Sequence, residues 1–438
     1  MFQTCNWLIM NKYGLTAMLI IMPWVLLTTE VNSQDVEEPL ALLLTWQYDP
    51  TTTMTVDWQT EEDLADDGTI RYRELNERTW RSAEANQLAF PYSDRIIHRV
   101  ELTGLKPATT YEFQTGSFTR VYQFRTMQED LNDKPMVFAT GGDTRHRKEF
   151  MLNTNRAVMQ YDLDFVLWGG DFAYADGRAD RLYRWYEWFE ANYEGLITDE
   201  GRVIPIIASL GNHEVLGGYY HRNEARSWLP EYVQNDASRN MIAPYFYTLF
   251  AFPGQPGYAT LDFGNYLSIV LLDSDHTNPI GGKQAEWLEK ELRERARRNV
   301  THIFPIYHVP AYPSHRSYTG GTITNVRETW VPLFEKYGVR VAFENHDHTY
   351  KRTHPIRNGE ISEDGIVYIG DGAWGVNTRE GNSQDEWYID QFRSVRHGII
   401  VTLDNETQDY IMVDENGEVF DTYTNHPKDI SVGHRTED

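Results

Sequence analysis

The chain has 438 residues, of which 41% are hydrophobic and 24% charged. This composition belongs to a soluble globular protein of one large domain or two ordinary ones, and excludes a disordered or membrane-embedded chain. A formal net charge of −25 excludes nucleic acid as a partner, because Lys and Arg would have to neutralise its phosphates. It leaves a small phosphorylated substrate open, since bound cations can dominate the local field of an acidic protein.

At the N-terminus Lys12 precedes an apolar run from Leu15 to Leu27, followed by Thr28, Thr29 and Glu30. A run of this length after a positive charge suits a secretory signal, whereas a membrane span needs about 20 residues. Residues 1–33 are therefore expected to be a signal peptide cleaved near Ser33–Gln34, with an uncleaved anchor as the alternative. Met10 offers a more usual start than Met1. The single cysteine, Cys5, lies inside this segment, so the mature chain has no disulfide and must be stabilised by buried cores. No later segment is long and apolar enough to span a membrane, and the expected location is secreted or periplasmic. Asn299-Val300-Thr301 and Asn405-Glu406-Thr407 match the glycosylation sequon, a pattern that also occurs often by chance.

Residues 36–128 read as short strands between polar turns: Leu42–Trp46, Met54–Trp58, Ile70–Arg73 and His98–Leu102. This spacing predicts an antiparallel β-sandwich. Within it, Leu105 to Phe113 resembles the tyrosine-corner segment of fibronectin type III domains, which makes Trp46, Trp58 and Tyr111 core residues. Gln128 to Lys134 is a polar linker.

Residues 134–426 change pattern. Strands are expected at Met136–Ala139, Phe165–Trp168, Val203–Ser209 and Ile303–Tyr307, with helices at Glu149–Gln160 and Ala285–Arg298. Alternation of this kind predicts an α/β domain with largely parallel pairing, whose ligands gather where loops leave the carboxyl ends of the strands. Residues 398–424 return to strand-like alternation, and residues 427–438 form a polar tail.

Five segments at those strand ends carry the candidate chemistry: Gly142-Asp143-Thr144-Arg145, Gly170-Asp171-Phe172-Ala173-Tyr174, Gly211-Asn212-His213-Glu214, Tyr307-His308-Val309-Pro310 and Asn345-His346-Asp347-His348. Asp143 and Asp171 are separated by about one strand–helix–strand unit, so adjacent parallel strands would present them side by side. His346 and His348 are alternate residues and would point the same way at a strand end. Asp, Asn, His and Tyr offer oxygen and imidazole donors, suited to divalent metals or ferric iron. Each segment alone is a common turn or a lone histidine; five in order, each after an apolar strand, are a metal-site pattern.

The set resembles the purple acid phosphatases of the calcineurin-like metallophosphoesterase superfamily, many of which carry an N-terminal fibronectin-like domain. The resemblance implies a sandwich followed by an α/β metallophosphoesterase domain of two mixed sheets packed between helices. It also implies Fe(3+) at Asp143, Asp171, Tyr174 and His348, and a second divalent metal (iron, zinc or manganese) at Asp171, Asn212, His308 and His346. His213 would then face the substrate phosphate, with Glu214 supporting the site from behind. Most calcineurin-like enzymes have Asp-x-His in the first segment. Here Arg145 takes that His position and Tyr174 appears instead, as purple enzymes require. A phosphatase of the PhoD type would need a cysteine ligand, which the mature chain lacks.

Some positions depart from the family pattern. Asn345 stands where the family has Gly, a change that a left-handed backbone at Asn would make mild. Arg145 is open between binding an oxyanion or a carboxylate and lying at the surface. Asp347 is expected to point away from its His neighbours, and either to support the site from behind or to be solvated. His315 is open between a leaving-group proton donor and a surface residue, while His146, His221, His276 and His354 are expected to be structural or superficial. The activity implied is phosphate monoester hydrolysis by metal-activated hydroxide attack, with a small phosphorylated substrate and no nucleic acid. A phosphodiesterase or nucleotide hydrolase on the same site is the alternative enzyme reading. An adhesion or carbohydrate-binding protein with an inert second domain is the non-enzyme one. No feature of the sequence specifies an oligomeric state.

The signal gives the first test. Mass spectrometry of the protein from its native host is expected to find a start close to Gln34; intact residues 1–33 in a soluble cytoplasmic pool would contradict export.

Overall fold

Eight strands alternate with tight turns to build the N-terminal part: β1 (Ala41–Thr45), β2 (Met54–Glu61), β3 (Thr69–Glu74), β4 (Arg81–Glu84), β5 (Asn86–Ala89), β6 (Arg95–Leu102), β7 (Thr110–Thr115) and β8 (Tyr122–Arg125). The computed structural model describes residues 38–64, 66–218, 235–382 and 385–426. The expected signal with Cys5, the polar tail and His221 lie outside the described residues. The strands pair antiparallel in two sheets, β1-β2-β6-β5 and β4-β3-β7-β8. In β7 half-buried and buried residues alternate strictly, the pattern of a sheet packed on one face. Tyr111 lies in this core, and its hydroxyl accepts the Lys106 N–H at 2.8 Å. That bond is the tyrosine-corner geometry.

The chain continues through β9 (Met136–Gly141), α1 (Lys148–Val158), β10 (Phe165–Trp168), α2 (Tyr183–Gly195) and β11 (Ile206–Ala208). Next come α3 (Asp236–Ile242), α4 (Phe246–Leu249), β12 (Ala259–Phe263), β13 (Leu267–Leu271), α5 (Lys283–Arg297) and β14 (His302–Ile306). Then follow α6 (Gly321–Thr329), α7 (Val331–Lys336), β15 (Val341–Glu344), β16 (Tyr350–Thr353), β17 (Ile356–Arg357) and β18 (Glu360–Ile361). The last strands are β19 (Val367–Gly370), β20 (Ile389–Arg393), β21 (His397–Leu403), β22 (Gln408–Asp414) and β23 (Val419–Asn425). Two mixed sheets result, β11-β10-β9-β21-β22-β23 and β12-β13-β14-β15-β19-β16-β20. Pairing is parallel among β9, β10 and β11 and from β13 through β14 and β15 to β19. It is antiparallel on the flanks. The expectation of largely parallel pairing therefore holds only for the centres. Hairpins such as Asp404–Thr407 are too short for the crossover that parallel strands require.

The strand expected at Val203–Ser209 shortens to β11 for a local reason. Pro205 has no N–H to give a ladder. Residues ahead of it turn to the sandwich instead, where Gln123 N–H donates to Gly201 O at 2.8 Å and Val203 N–H to Gln123 O at 2.9 Å. The sandwich and the two sheets form one compact unit. Trp46, fully buried, stands edge-on to Phe165 at 6.1 Å and to Phe263 at 5.7 Å. Arg99 donates to the buried Asp57 carboxylate and to the backbone oxygens of Thr248 and Leu249 at 3.0 and 3.3 Å. Among the described residues, no helix is long and apolar enough to cross a membrane.

A shared core of this kind should unfold as one. Trp46→Ala is expected to destabilise the whole chain by about 3–5 kcal/mol, read as an earlier single transition in urea. A separate early transition of the sandwich would contradict the shared core.

Candidate metal centre

The parallel strands put their carboxyl ends on one edge, and the loops that leave them bring the candidate donors together. Asp143 follows β9, Asp171 and Tyr174 follow β10, and Asn212 and His213 follow β11. From the other sheet, His308 follows β14, and His346 and His348 follow β15. In one group, Tyr174 Oη lies 2.8 Å from Asp143 Oδ1 and 3.0 Å from His348 Nε2. His348 Nε2 is also 3.0 Å from Asp143 Oδ1. In the other, His308 Nε2 lies 3.0 Å from Asp171 Oδ2, 3.1 Å from Asn212 Oδ1 and 2.9 Å from His346 Nδ1. All seven residues are buried.

The backbone is bent to achieve this. Asp143, Asp171, Tyr174, His346 and His348 have φ of 56°, 57°, 56°, 82° and 60°, left-handed values that cost non-glycine residues about 1–2 kcal/mol each. Hydrogen bonds hold the bends. Glu214 accepts the N–H groups of Gly211, Asp171 and Phe172, each at 2.8 Å. Asp143 Oδ2 accepts His346 N–H at 2.8 Å, and Asp171 Oδ1 accepts His213 N–H at 2.7 Å. Gly372 is required because a Cβ there would run into Asp143 Oδ2. Burial and then the Asp171 charge push Glu214 up to about 7.

The electrostatics ask for positive charge. Burial, reinforced by Asp143 and Asp171, drives the Tyr174 hydroxyl well above its usual range. Burial opposes the charged form of Asp171, but the imidazoles of His308 and His213 outweigh it and hold the carboxyl low. His308 is likewise pulled down by burial and pushed up further, to about 9, by Asp171 and Asp143. Burial, with Arg316 and His308, holds His346 well below the usual imidazole range.

The residues fit metal ions. One donor atom each from Asp171, His308 and His346 lie within 4.8 Å of one another. Asp171 Oδ2 is buried without accepting a well-formed hydrogen bond. Ligands about 2.0–2.2 Å from a cation and near right angles sit about 3 Å apart, the spacing seen in both groups. His308 Nδ1 is 2.9 Å from Gly169 O and His348 Nδ1 is 3.3 Å from Asn377 O. Donation to those carbonyls leaves each Nε2 lone pair facing the cluster.

The remaining sequence candidates are placed as follows. His213 is about a third exposed on its side chain, with Nδ1 2.5 Å from Asp176 Oδ1 and Nε2 3.9 Å from Asp171 Oδ2. Asp176, which sequence reasoning missed, fixes this ring. The only sequence signal was a further acid in the Gly170–Asp176 loop. His315 Nδ1 is 2.7 Å from Glu380 O, and its N–H donates to Asp347 Oδ2 at 2.7 Å, so it lies on a neighbouring loop and outside the two donor groups. His354 is partly exposed, 3.8 Å from Asp390.

Several expectations are corrected. The strand alternation expected of His346 and His348 does not apply: both are left-handed loop residues beyond β15. Asn345 is not the left-handed residue its place suggested. Its side chain fits against Gly142 and Gly169 and donates to Tyr307 O at 3.0 Å. For Asp347 the supporting alternative holds and the solvated one does not: it is fully buried, accepting N–H groups from Ser314, His315 and Arg316. Of the courses left open for Arg145, the structure shows binding to a carboxylate and not the surface. It is buried, ion-paired with Glu187, and lowered to about 10 by burial and by Arg184. His146 packs 4.6 Å from the Tyr174 ring and 5.4 Å from that of His348. His276 lies 5.6 Å from the His308 ring. Both therefore border the site.

A sandwich leading into two mixed sheets, with oxygen and imidazole donors clustered at their strand ends, is the architecture of a metallophosphoesterase with an N-terminal accessory domain. Comparison with known families agrees: residues 39–126 match the purple acid phosphatase N-terminal domain and residues 140–350 the calcineurin-like phosphoesterases. Purple acid phosphatase 21 of Arabidopsis thaliana is 25% identical over 72% of this chain and 68% of its own length. The Fe(3+)-Zn(2+) purple acid phosphatase 12 of the same plant is 24% identical over 80% and 75%. A purple acid phosphatase from yellow lupin seeds superposes with a TM-score of 0.72 at 18% identity, covering 89% of this chain and 74% of that one. The chain belongs to the purple acid phosphatase family of calcineurin-like phosphoesterases, with the family's N-terminal domain.

The geometry separates two kinds of variant. Asp171→Asn is expected to lose bound metal and activity, whereas His213→Asn should lower kcat about 10²–10⁴-fold with metal content intact. Elemental analysis of both proteins checks this; the reverse pattern would contradict the placement.

Proposed function

We propose that the chain is an exported acid phosphatase that hydrolyses phosphate monoesters on a binuclear metal centre. The observation that carries this reading is the pair of donor groups at neighbouring strand ends, each with atoms about 3 Å apart, the second of them including Asp171. Asp143, Tyr174 and His348 with Asp171 would hold ferric iron. Asn212, His308 and His346 with Asp171 would hold a second, divalent ion of iron, zinc or manganese. The name of one relative, an Fe(3+)-Zn(2+) enzyme, supports this division. The expected signal at residues 1–33 supports export.

When bound, the two ions would polarise a water and neutralise the phosphoryl oxygens during in-line displacement. The chain supplies the rest. Asp176 holds Nδ1 of His213, which leaves Nε2, 3.9 Å from Asp171 Oδ2, to bind a phosphoryl oxygen or protonate the departing alkoxide. Glu214 keeps the backbone of Asp171 and Phe172 from shifting as charge develops. Turnover of p-nitrophenyl phosphate at acid pH by metal-loaded protein tests the reading. Preference for bis(p-nitrophenyl) phosphate would favour a diesterase, and absence of turnover a binding protein.

Tyr174 gives the sharper test. A phenol with a free pKa of about 10 and buried among carboxylates stays protonated unless a cation takes the proton's place. The iron-loaded, oxidised protein is expected to show a visible charge-transfer band, and Tyr174→Phe to bleach it. An active, iron-loaded wild type without such a band would refute tyrosinate coordination.

A further inference from the structure

A further loop, which supplies none of the seven donors, leaves the same edge of the sheets. β13 runs parallel to β14, so the residues after it, Asp273-Ser274-Asp275-His276, emerge beside His308 at the carboxyl ends of the strands. The loop is bent as the donor loops are, with Asp275 at φ of 77°. Asp273, fully buried, holds the bend by accepting the N–H groups of His276, Thr277 and Asn278 at 2.7, 2.8 and 2.7 Å. Its own N–H donates to Gln284 Oε1 on α5 at 2.8 Å, and Gln284 Nε2 donates back to its carbonyl at 2.9 Å.

This anchored loop meets two donor loops, one from each sheet. Ser209, three residues before Asn212, donates through Oγ to Leu272 O at 3.3 Å. Ser274 Oγ accepts the N–H of Val309, the residue after His308, at 2.9 Å and lies 3.1 Å from His276 Nε2. A hydroxyl has two lone pairs and one proton, enough for both partners. Ser274 and Val309 are both buried, so this N–H depends on the hydroxyl rather than on water. The His276 ring stands 5.6 Å from that of His308, at 66° to it. His308 is thus held at its ring nitrogen by Gly169 O at 2.9 Å, in its backbone by Ser274, and along its ring by His276. Tyr174 and His348 are braced from elsewhere, by the His146 ring at 4.6 and 5.4 Å, whose Nδ1 accepts the Asn377 N–H at 3.0 Å.

We propose that Ser274 and His276 are positioning residues for His308. The loop that carries them then sets the affinity of the Asn212, His308 and His346 group for its cation, independently of the Asp143, Tyr174 and His348 group. An imidazole binds an ion only while its lone pair is aimed at it, and the partners behind a ligand commonly govern metal affinity by about 10–100-fold. This inference rests on the two-ion reading given above.

Zinc binding and the colour of the ferric site separate the two claims. The full chain loaded with ferric iron would be equilibrated with zinc against a competing chelator, while iron content and the visible band are followed in parallel. Ser274→Ala and His276→Ala are expected to weaken zinc binding about 10–100-fold and to keep both the iron and the band. His276→Gln, whose amide can still bond to Ser274 Oγ, should recover most of the zinc affinity. Zinc binding by both alanine variants as tight as that of the wild type would overturn the proposal. Parallel loss of zinc, iron and colour would overturn it too, as the mark of a loop that only supports the fold. A wild type that takes up zinc but no ferric iron, with the same dependence on Ser274, would sink the two-ion reading and leave the positioning role standing.

Discussion

Seven donor side chains gather in two groups, within each of which neighbouring ligand atoms lie about 3 Å apart, and together they bury two carboxylates and three imidazoles. Such a cluster repels itself unless protons or cations sit between its members. The protein bends five of the seven residues into left-handed backbone to hold it, at a cost of roughly 5–10 kcal/mol in all. That figure rivals the net stability of a whole domain, about 5–15 kcal/mol. The surrounding structure reads as the means of meeting this demand.

Parallel strands from two sheets deliver the loops to one edge, so that each donor needs only a short excursion from a rigid element. Glu214 ties three backbone N–H groups on two loops, and Gly372 and Asn345 permit approaches that larger or differently shaped residues would block. Lys351, fully buried, balances Glu344 and Asp371 beneath the same loops. The sandwich braces this scaffold through Trp46 and Arg99 rather than hanging from it as a separate bead.

The donors themselves were legible in the sequence because each follows an apolar strand directly, and strand ends are where α/β folds place ligands. The reasons were less legible than the residues. His346 and His348 looked like alternate positions on a strand, whereas loop conformation aims them. Residues that act across the fold were missed or left open for a common cause: their partners are distant in sequence. His146 meets Tyr174 and His348, Arg145 finds Glu187 on α2, and Asp347 folds the 314–316 loop around its carboxylate. No local pattern announces such contacts. Asp176 was closer to view, five residues beyond Asp171, but its role depends on where β11 delivers His213.

The account stands on cations occupying both donor groups and sharing Asp171. Anomalous diffraction from crystals of the metal-loaded protein tests this most directly. The expected result is two peaks about 3.5–4 Å apart, one among Asp143, Tyr174 and His348, the other among Asn212, His308 and His346, with Asp171 between them. A single peak, or two peaks of which neither touches Asp171, would contradict it.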